Sequence, residues 1–167
     1  MILAIDSYYF ENKAKTVCLM FEQWNSLEIK NSFTEIISNV ENYVPGEFYK
    51  RELPCIISLI SKLDLTKIDF IIIDGFVYLD DNGKFGLGAY LYEKLSGKIP
   101  IIGVAKTDFI SLNKNKQLLL RGKSKKPLFI TSIGININEA TVKIKIMNGE
   151  YRIPTLLKEL DKQTKEK

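Results

Sequence analysis

The feature that most constrains the fold is a continuous, β-branched apolar run, Phe70–Ile73, which ends at Asp74-Gly75. Such a run is typical of a central strand buried on both faces of a sheet. A second run, Ile99–Ala105, follows a stretch at 85–95 that we predict to be helical. Two buried strands joined by a helix form a βαβ unit, so the sequence predicts parallel strands in an open sheet.

Antiparallel strands are expected before this unit. Segments 2–6 and 15–24 predict a hairpin, and alternation over 27–33 predicts a third strand. A helix is predicted over 52–63, with Pro54 in its first turn.

Later segments complete the predicted domain. Strands are expected at 118–120 and 128–130, the segment 137–147 is compatible with either a helix or a strand, and a polar helix is expected on the surface after Pro154. We therefore predict one α/β domain over residues 1–167. Its mixed sheet combines an antiparallel meander with parallel strands, and helices cover both faces.

Composition excludes several functional classes. The chain has no histidine, which excludes an imidazole base, a Ser-His triad and a His-ligated metal. No apolar stretch is long enough for a membrane helix, so we expect a cytoplasmic protein without a membrane partner. Cys18 and Cys55 lie in apolar segments and are expected to be free thiols. The net charge of +4 permits binding to a polyanion, and the basic stretch 109–138 is a candidate phosphate track.

Acidic residues follow two of the predicted strands. Asp6 ends the first strand and Asp74 the central one, and the carboxyl ends of such strands meet at one edge of an open sheet. Neighbouring carboxylates repel unless a cation lies between them, and Mg²⁺ prefers oxygen ligands. Singly, each aspartate is explained as a turn residue and Glu52 as a charge near a helix start. Only their combination predicts a metal site.

Six short motifs follow one another along the chain. They are Tyr43-Val44-Pro45-Gly46, Arg51-Glu52-Leu53-Pro54, Asp74-Gly75, Phe85-Gly86-Leu87-Gly88-Ala89, Ile102-Gly103-Val104-Ala105-Lys106-Thr107 and Tyr151-Arg152-Ile153-Pro154-Thr155. In their order, and in the spacing between Tyr43 and Glu52, they resemble the motifs of the endonuclease V family over nearly the whole chain. The resemblance implies an RNase H-like fold and a metal-dependent endonuclease that cleaves DNA or RNA near deaminated adenine, that is, deoxyinosine or inosine.

The resemblance also implies roles at the site. Metal binding and catalysis fall on Asp6, Glu52 and Asp74, with Mg²⁺ as the ion and Mn²⁺ as a substitute. Lys106 corresponds to a family lysine near the scissile phosphate, where an ammonium group neutralises charge that develops on oxygen.

A fourth metal ligand and a nucleic-acid surface are implied as well. The ligand is expected after the last motif, where Glu159 is the counted position and Asp161 its competitor. The nucleic-acid surface comprises a wedge at 43–45 that unstacks bases, glycines that admit an extruded purine, and two arginines for phosphate. The implied residues are Tyr43, Val44, Pro45, Gly46, Arg51, Gly75, Gly86, Leu87, Gly88 and Arg152.

The chain departs from the family where histidines are usual. Phe76, Asp80 and Tyr90 stand near those positions, and Asp80-Asp81 would repel a nucleic-acid backbone unless the two acids point away from it. Two alternatives therefore stay open beside an inosine-directed nuclease. One is a non-cleaving protein that binds inosine or branched nucleic acid, and the other is an RNase H-like nuclease of different lesion or structure specificity. A small-molecule phosphohydrolase is a more distant alternative, and a monomer is expected throughout.

Overall fold

The computed structural model describes residues 1–40, 42–45 and 47–166. Within these residues the chain forms seven strands and four helices. The strands are β1 (Ile2–Phe10), β2 (Lys13–Phe21), β3 (Asn31–Ser38), β4 (Phe70–Asp74), β5 (Ile101–Ala105), β6 (Gln117–Leu119) and β7 (Leu128–Ile133). The helices are α1 (Phe48–Ile60), α2 (Leu87–Lys94), α3 (Ile137–Lys145) and α4 (Thr155–Lys165).

The strands form one mixed sheet in the order β3-β2-β1-β4-β5-β7-β6. The β1–β4 and β4–β5 pairs are parallel, and the remaining pairs are antiparallel. One apolar cluster packs α1 and α2 against one face, and a second packs α3 and α4 against the other. The predicted meander, the βαβ unit and the two-sided helical cover are therefore confirmed.

The third strand was predicted too early in the chain. It begins at Asn31 rather than at Leu27, because residues after β2 turn over the end of the sheet instead of pairing along it. In this turn the Ser26 amide donates to the Gln23 carbonyl at 3.0 Å, and the ring of Trp24 packs edge-on against a ring of β4. Alternation alone does not distinguish this irregular segment from the strand that follows it.

One helix differs from its prediction, and one open alternative is resolved. Helix α1 starts at Phe48, so Pro54 lies inside the helix, on an exposed face, rather than in the first turn. The ambiguous segment 137–147 is helical, and the side chain of Asn136 caps it by accepting from the Asn138 amide.

The last helix, α4, lies on the surface as expected but packs one face firmly against the sheet. Leu156, Leu160 and Thr164 are buried against β1 and β2. Cys18 and Cys55 are buried free thiols, as predicted. No helix among the described residues is long and apolar enough to cross a membrane.

Candidate active site

Strand register brings the first two predicted acids together. The parallel β1–β4 ladder ends at the pair Ile5–Ile73, so Asp6 and Asp74 are the next residues on the two strands. Asp74 is the last residue of β4, whereas β1 continues to Phe10 in the hairpin, so Asp6 does not end its strand as predicted. Both aspartates line a small cleft between the sheet and α4.

The Asp6 carboxyl is buried and lies in the electrostatic field of a second acid. Burial, followed by the charge of Asp74, raises the pKa of Asp6 to about 7. The Ser7 amide donates a hydrogen bond to Asp6 Oδ1 at 2.8 Å, which opposes the shift without cancelling it. The charged form of Asp6 is therefore disfavoured unless a cation approaches it.

Glu52 reaches this region from α1. Its side chain is only 2% exposed, and its Oε2 atom is buried without a hydrogen-bond partner among the described residues. Burial, then the charges of Asp6 and Asp74, hold the pKa of Glu52 well above its usual range. The three acids that the motifs single out are therefore close enough to act on one another electrostatically.

Lys106 follows β5 and places its ammonium group between two carboxylates. Its Nζ atom lies 3.3 Å from Asp74 Oδ2 and 3.4 Å from Asp161 Oδ1. Burial lowers the pKa of Lys106, but the charges of Asp74 and Asp161 outweigh it and raise the pKa above its usual value. Lys106 is therefore a permanent cation at the mouth of the cleft.

Of the two candidates on the last helix, Asp161 lines the cleft and Glu159 does not. Glu159 Oε1 instead accepts a hydrogen bond from Gln163 Nε2 at 2.9 Å, along the helix. Asp161 also pairs with Lys165 at 2.8 Å, which together with Lys106 outweighs burial and lowers the pKa of Asp161. The position counted from the motif is thus held away from the cleft, and its competitor lies beside Lys106.

The carboxylate oxygens of Asp6, Glu52 and Asp74 are ligands of the type that a hard divalent ion prefers. Oxygen ligands are those that Mg²⁺ prefers, and the unpartnered Glu52 Oε2 and the buried Asp6 both lack a cation. Among the described residues, however, no three acidic, cysteine or histidine side chains already converge as a metal centre. Lys106 engages the Asp74 carboxylate instead. The oxygen ligands and negative charge of these residues therefore suit a divalent ion. Their side chains are not yet arranged around a single metal position.

The predicted wedge lies just before α1. Tyr43 and Val44 are 55% and 49% exposed, and Pro45 is also exposed. The Tyr43 ring makes an edge contact with the ring of Phe48. Gly46 lies outside the described residues. The segment thus offers an aromatic ring and a proline to solvent, as a wedge requires.

The residues predicted to admit an extruded base fall into two groups. Gly75 has φ +132° and open space where a side chain would lie, beside Asp74. A Cβ atom at Gly86 would meet the Phe76 carbonyl at 2.6 Å, and one at Gly88 would meet Val77 Cγ2 at 2.7 Å. These two glycines therefore allow α2 to pack closely. The remaining member, Leu87, has its side chain in the core.

Arg152 is used inside the protein. Its guanidinium group donates to the carbonyl oxygens of Lys106 and Pro127. Arg152 therefore fixes the backbone that carries Lys106, a role that charge in the sequence does not reveal.

The basic stretch 109–138 is only partly available to phosphate. Arg121 is 5% exposed and donates to carbonyl oxygens of the 147–152 segment, including Met147 at 2.6 Å and Tyr151 at 2.7 Å. Lys116 is nearly buried and pairs with Asp108. The lysines that stay exposed are Lys114, Lys123, Lys125 and Lys126.

Asp80 and Asp81, the two acids that would repel a nucleic-acid backbone if they faced it, accept hydrogen bonds from loop amides. Asp80 Oδ1 accepts from the backbone amides of Asn82 and Lys84, both at 2.9 Å. Asp81 Oδ1 accepts from the amides of residues 113–115, at 2.9, 2.7 and 3.2 Å. These bonds, led by the one from Asn113, lower the pKa of Asp81. Asp80 therefore shapes its own loop before α2, whereas Asp81 holds the loop after β5 in place.

Sequence reasoning missed Tyr9, whose ring lies under the guanidinium group of Arg51 at 3.6 Å. The missed signal is the length of the first strand. A strand that stops at Asp6 leaves Tyr9 in a turn, whereas one that runs to Phe10 places it opposite α1.

Comparisons with known proteins agree with this geometry. No match is found among curated proteins. Among solved structures, human ENDOV is similar at 22% identity and a TM-score of 0.73, over 98% of this chain and 82% of that one. Endonuclease V from Bacillus subtilis follows at 21% identity and a TM-score of 0.71, over 98% and 77%.

A third structure, Ciona intestinalis endonuclease V in complex with a 24mer DNA containing an inosine followed by a ribo-adenosine, is similar at 19% identity and a TM-score of 0.79. It covers 98% of this chain and 83% of that one. These likenesses confirm the RNase H-like fold. The family model for endonuclease V matches residues 1–138, which include five of the six motifs and all the predicted site residues before α3. The chain therefore belongs to the endonuclease V family.

Proposed function

We propose that this protein is a metal-dependent endonuclease that hydrolyses a phosphodiester bond near deaminated adenine, as deoxyinosine in DNA or inosine in RNA. The observation that carries the proposal is that Asp6, Glu52 and Asp74 lie close enough to act on one another electrostatically where the parallel β1–β4 ladder ends, and that Lys106 pairs with Asp74 there. Membership of the endonuclease V family and the likeness to a family structure with inosine-containing DNA support the choice of substrate.

The chain's own carboxylates define where an ion is held in this proposal. Asp6, Glu52 and Asp74 are the ligands, and Asp161 rather than Glu159 is the candidate fourth. Held by these carboxylates, Mg²⁺ or Mn²⁺ would supply the positive charge that activates a water molecule and stabilises the leaving oxygen. Because Asp6 and Glu52 are buried acids with raised pKa values, they carry full negative charge only when a cation is nearby.

Lys106 contributes a second charge. Its ammonium group is held by Asp74 and Asp161, so it is pre-oriented at the cleft. A positive group fixed there neutralises charge that develops on a non-bridging phosphate oxygen, and it needs no reorganisation during the reaction. Arg152 keeps the Lys106 backbone in place through its carbonyl oxygen.

The wedge at 43–45 and the open backbone at Gly75 supply contacts to the base. Tyr43, Val44 and Pro45 are exposed and apolar, which suits them to unstacking a base step. Hypoxanthine differs from adenine by an O6 acceptor and an N1–H donor, so backbone amides and carbonyls suffice to distinguish the two bases.

The test compares matched oligonucleotides, in DNA and in RNA, that contain deoxyinosine or inosine, uracil or only ordinary bases. Each is incubated with the protein and Mg²⁺, Mn²⁺ or EDTA, and products are resolved on a denaturing gel. We expect nicking near the deaminated adenine that requires the metal ion. Tight binding without nicking would support a non-cleaving binding protein, and equal cleavage of all substrates would support a nuclease of different specificity.

A further inference from the structure

The chain has three arginines, and the structure uses their guanidinium groups in two ways. Arg121 and Arg152 donate to backbone carbonyl oxygens. The guanidinium group of Arg51 makes no hydrogen bond or ion pair with any described residue, and its Nε atom is buried without a partner. Arg51 is therefore the arginine whose capacity to bind an anion is unused within the described part of the chain.

The ring of Tyr9 holds Arg51 in place. The guanidinium carbon lies 3.6 Å from the ring centroid, which is well within the range of a cation–π contact. The Tyr9 hydroxyl is buried and has no hydrogen-bond partner among the described residues. Tyr9 therefore contributes through its aromatic face rather than through its hydroxyl.

This stack adjoins the catalytic carboxylates. Arg51 directly precedes Glu52 in α1, and both side chains lie close enough to Tyr9 to act on its phenol electrostatically. A guanidinium group that already rests on an aromatic face loses little freedom when it binds an anion. Two free terminal nitrogens match the paired oxygens of a phosphate.

We propose that Tyr9 is a positioning residue for nucleic-acid binding: its ring holds Arg51 so that the terminal nitrogens bind a backbone phosphate beside the carboxylate site. This inference rests on the proposed function, because it requires a nucleic-acid backbone at that place. The competing account is that Arg51 only balances the charge of Glu52 and touches no substrate.

The experiment measures binding of the full-length protein to an inosine-containing oligonucleotide in EDTA, so that cleavage does not interfere. Dissociation constants are determined over a range of salt concentrations for the wild type, R51Q, Y9L, Y9F and the double variant Y9L/R51Q. The matched control is Y8L, because Tyr8 is the adjacent, exposed tyrosine on the same strand and contacts Phe10 instead. Thermal unfolding verifies that each variant is folded.

We expect R51Q to reduce the slope of log K against log salt by about 1, the value for one lost phosphate contact. Y9L should weaken binding by about 3- to 30-fold, the range that corresponds to a cation–π contact, and should move the slope towards that of R51Q. Y9L/R51Q should bind no more weakly than R51Q alone. Y9F should restore wild-type binding, and Y8L should match the wild type.

Three results would overturn the inference while the wild type still binds: additive losses in Y9L/R51Q, a Y9F variant as weak as Y9L, or an R51Q variant with an unchanged salt slope. The last of these would establish Arg51 as a charge partner of Glu52. A wild-type protein that does not bind the oligonucleotide would overturn the proposed function, and this inference with it.

Discussion

The site contains two pairs of carboxylates that differ in solvent exposure and in whether a cation pairs with them. Asp74 and Asp161 have side chains about one third exposed, and they share the ammonium group of Lys106. Asp6 and Glu52 are buried, and no described cation forms an ion pair with either of them. We call Asp74 and Asp161 the outer pair and Asp6 and Glu52 the inner pair. The protein itself neutralises the outer pair, and it leaves the inner pair without a matching positive charge. In the proposed mechanism, the metal ion would supply the positive charge that Asp6 and Glu52 lack.

The largest expected effect is on catalysis by the inner pair. Asp6→Asn and Glu52→Gln should each reduce cleavage of an inosine-containing oligonucleotide by about 10³-fold, because a metal ion is worth several kcal/mol to the transition state. Both variants should melt at a higher temperature than the wild type without metal, since an amide avoids the cost of neutralising or burying a carboxylate on folding. Single-turnover rates and thermal unfolding in EDTA measure the two effects. Loss of folding in both variants would instead identify these acids as structural.

The second expected effect is on stability against pH. The pKa of Asp6 is about 7 in the folded protein, against an ordinary value of 3.8 that applies to the unfolded chain. Between pH 3.8 and pH 7 the folded state therefore binds more protons than the unfolded state. Stability of the metal-free protein should therefore fall as pH rises from about 4 to about 7, by about 4 kcal/mol from this group. Such a loss corresponds to a melting temperature lower by about 10 °C.

This fall should flatten in Asp6→Asn and in the presence of Mg²⁺, which favours the charged carboxyl. Thermal unfolding at a series of pH values, with and without the ion, makes the comparison. A wild-type melting temperature that rises from pH 4 to pH 7 in EDTA would contradict the account given for the inner pair.

The outer pair yields a prediction of opposite sign for two observables. Lys106→Gln should reduce the cleavage rate by about 10²-fold, the typical cost of one group that stabilises charge in the transition state. The same variant should bind Mg²⁺ several-fold more tightly, since the competing ammonium group leaves Asp74. Calorimetric titration of the ion measures the second effect, and weaker Mg²⁺ binding would show that Lys106 does not compete for the carboxylate.

The smallest expected effect separates the two acids of α4. Asp161→Asn should reduce cleavage by about 10- to 100-fold, because it removes a carboxylate that orients Lys106. Glu159→Gln is the matched control on the same helix and should stay within about twofold of the wild type, as surface substitutions usually do. Equal losses in the two variants would remove the distinction between them.

How much of this was predictable depends on what kind of partner each residue has. The buried runs that form β4 and β5 are continuous and rich in β-branched residues, so the local sequence alone predicts that they are buried strands. The start of β3 was not, because residues 27–33 alternate like a strand although contacts of Trp24 with a distant strand divert the chain. Local patterning cannot report a contact that folding brings from elsewhere.

The same reasoning applies to the site. Asp6, Glu52, Asp74 and Lys106 could be selected because motifs carry them, and the structure brings them to one region. The arginines could not be sorted, because the partners of Arg152 are backbone carbonyls that every residue possesses. A charged residue in a sequence predicts that its side chain has a partner, but only the fold shows which oxygen atom that partner is.

The point where the β1–β4 ladder ends, at Ile5 and Ile73, makes the site sensitive to strand register as well as to side-chain chemistry. A slip of β1 by one residue against β4 would carry Asp6 past Asp74 and turn its carboxylate to the opposite face of the sheet, since side chains alternate along a strand. Apolar residues within this short segment can therefore be exchanged for one another far more freely than the pairing of the two strands can be shifted.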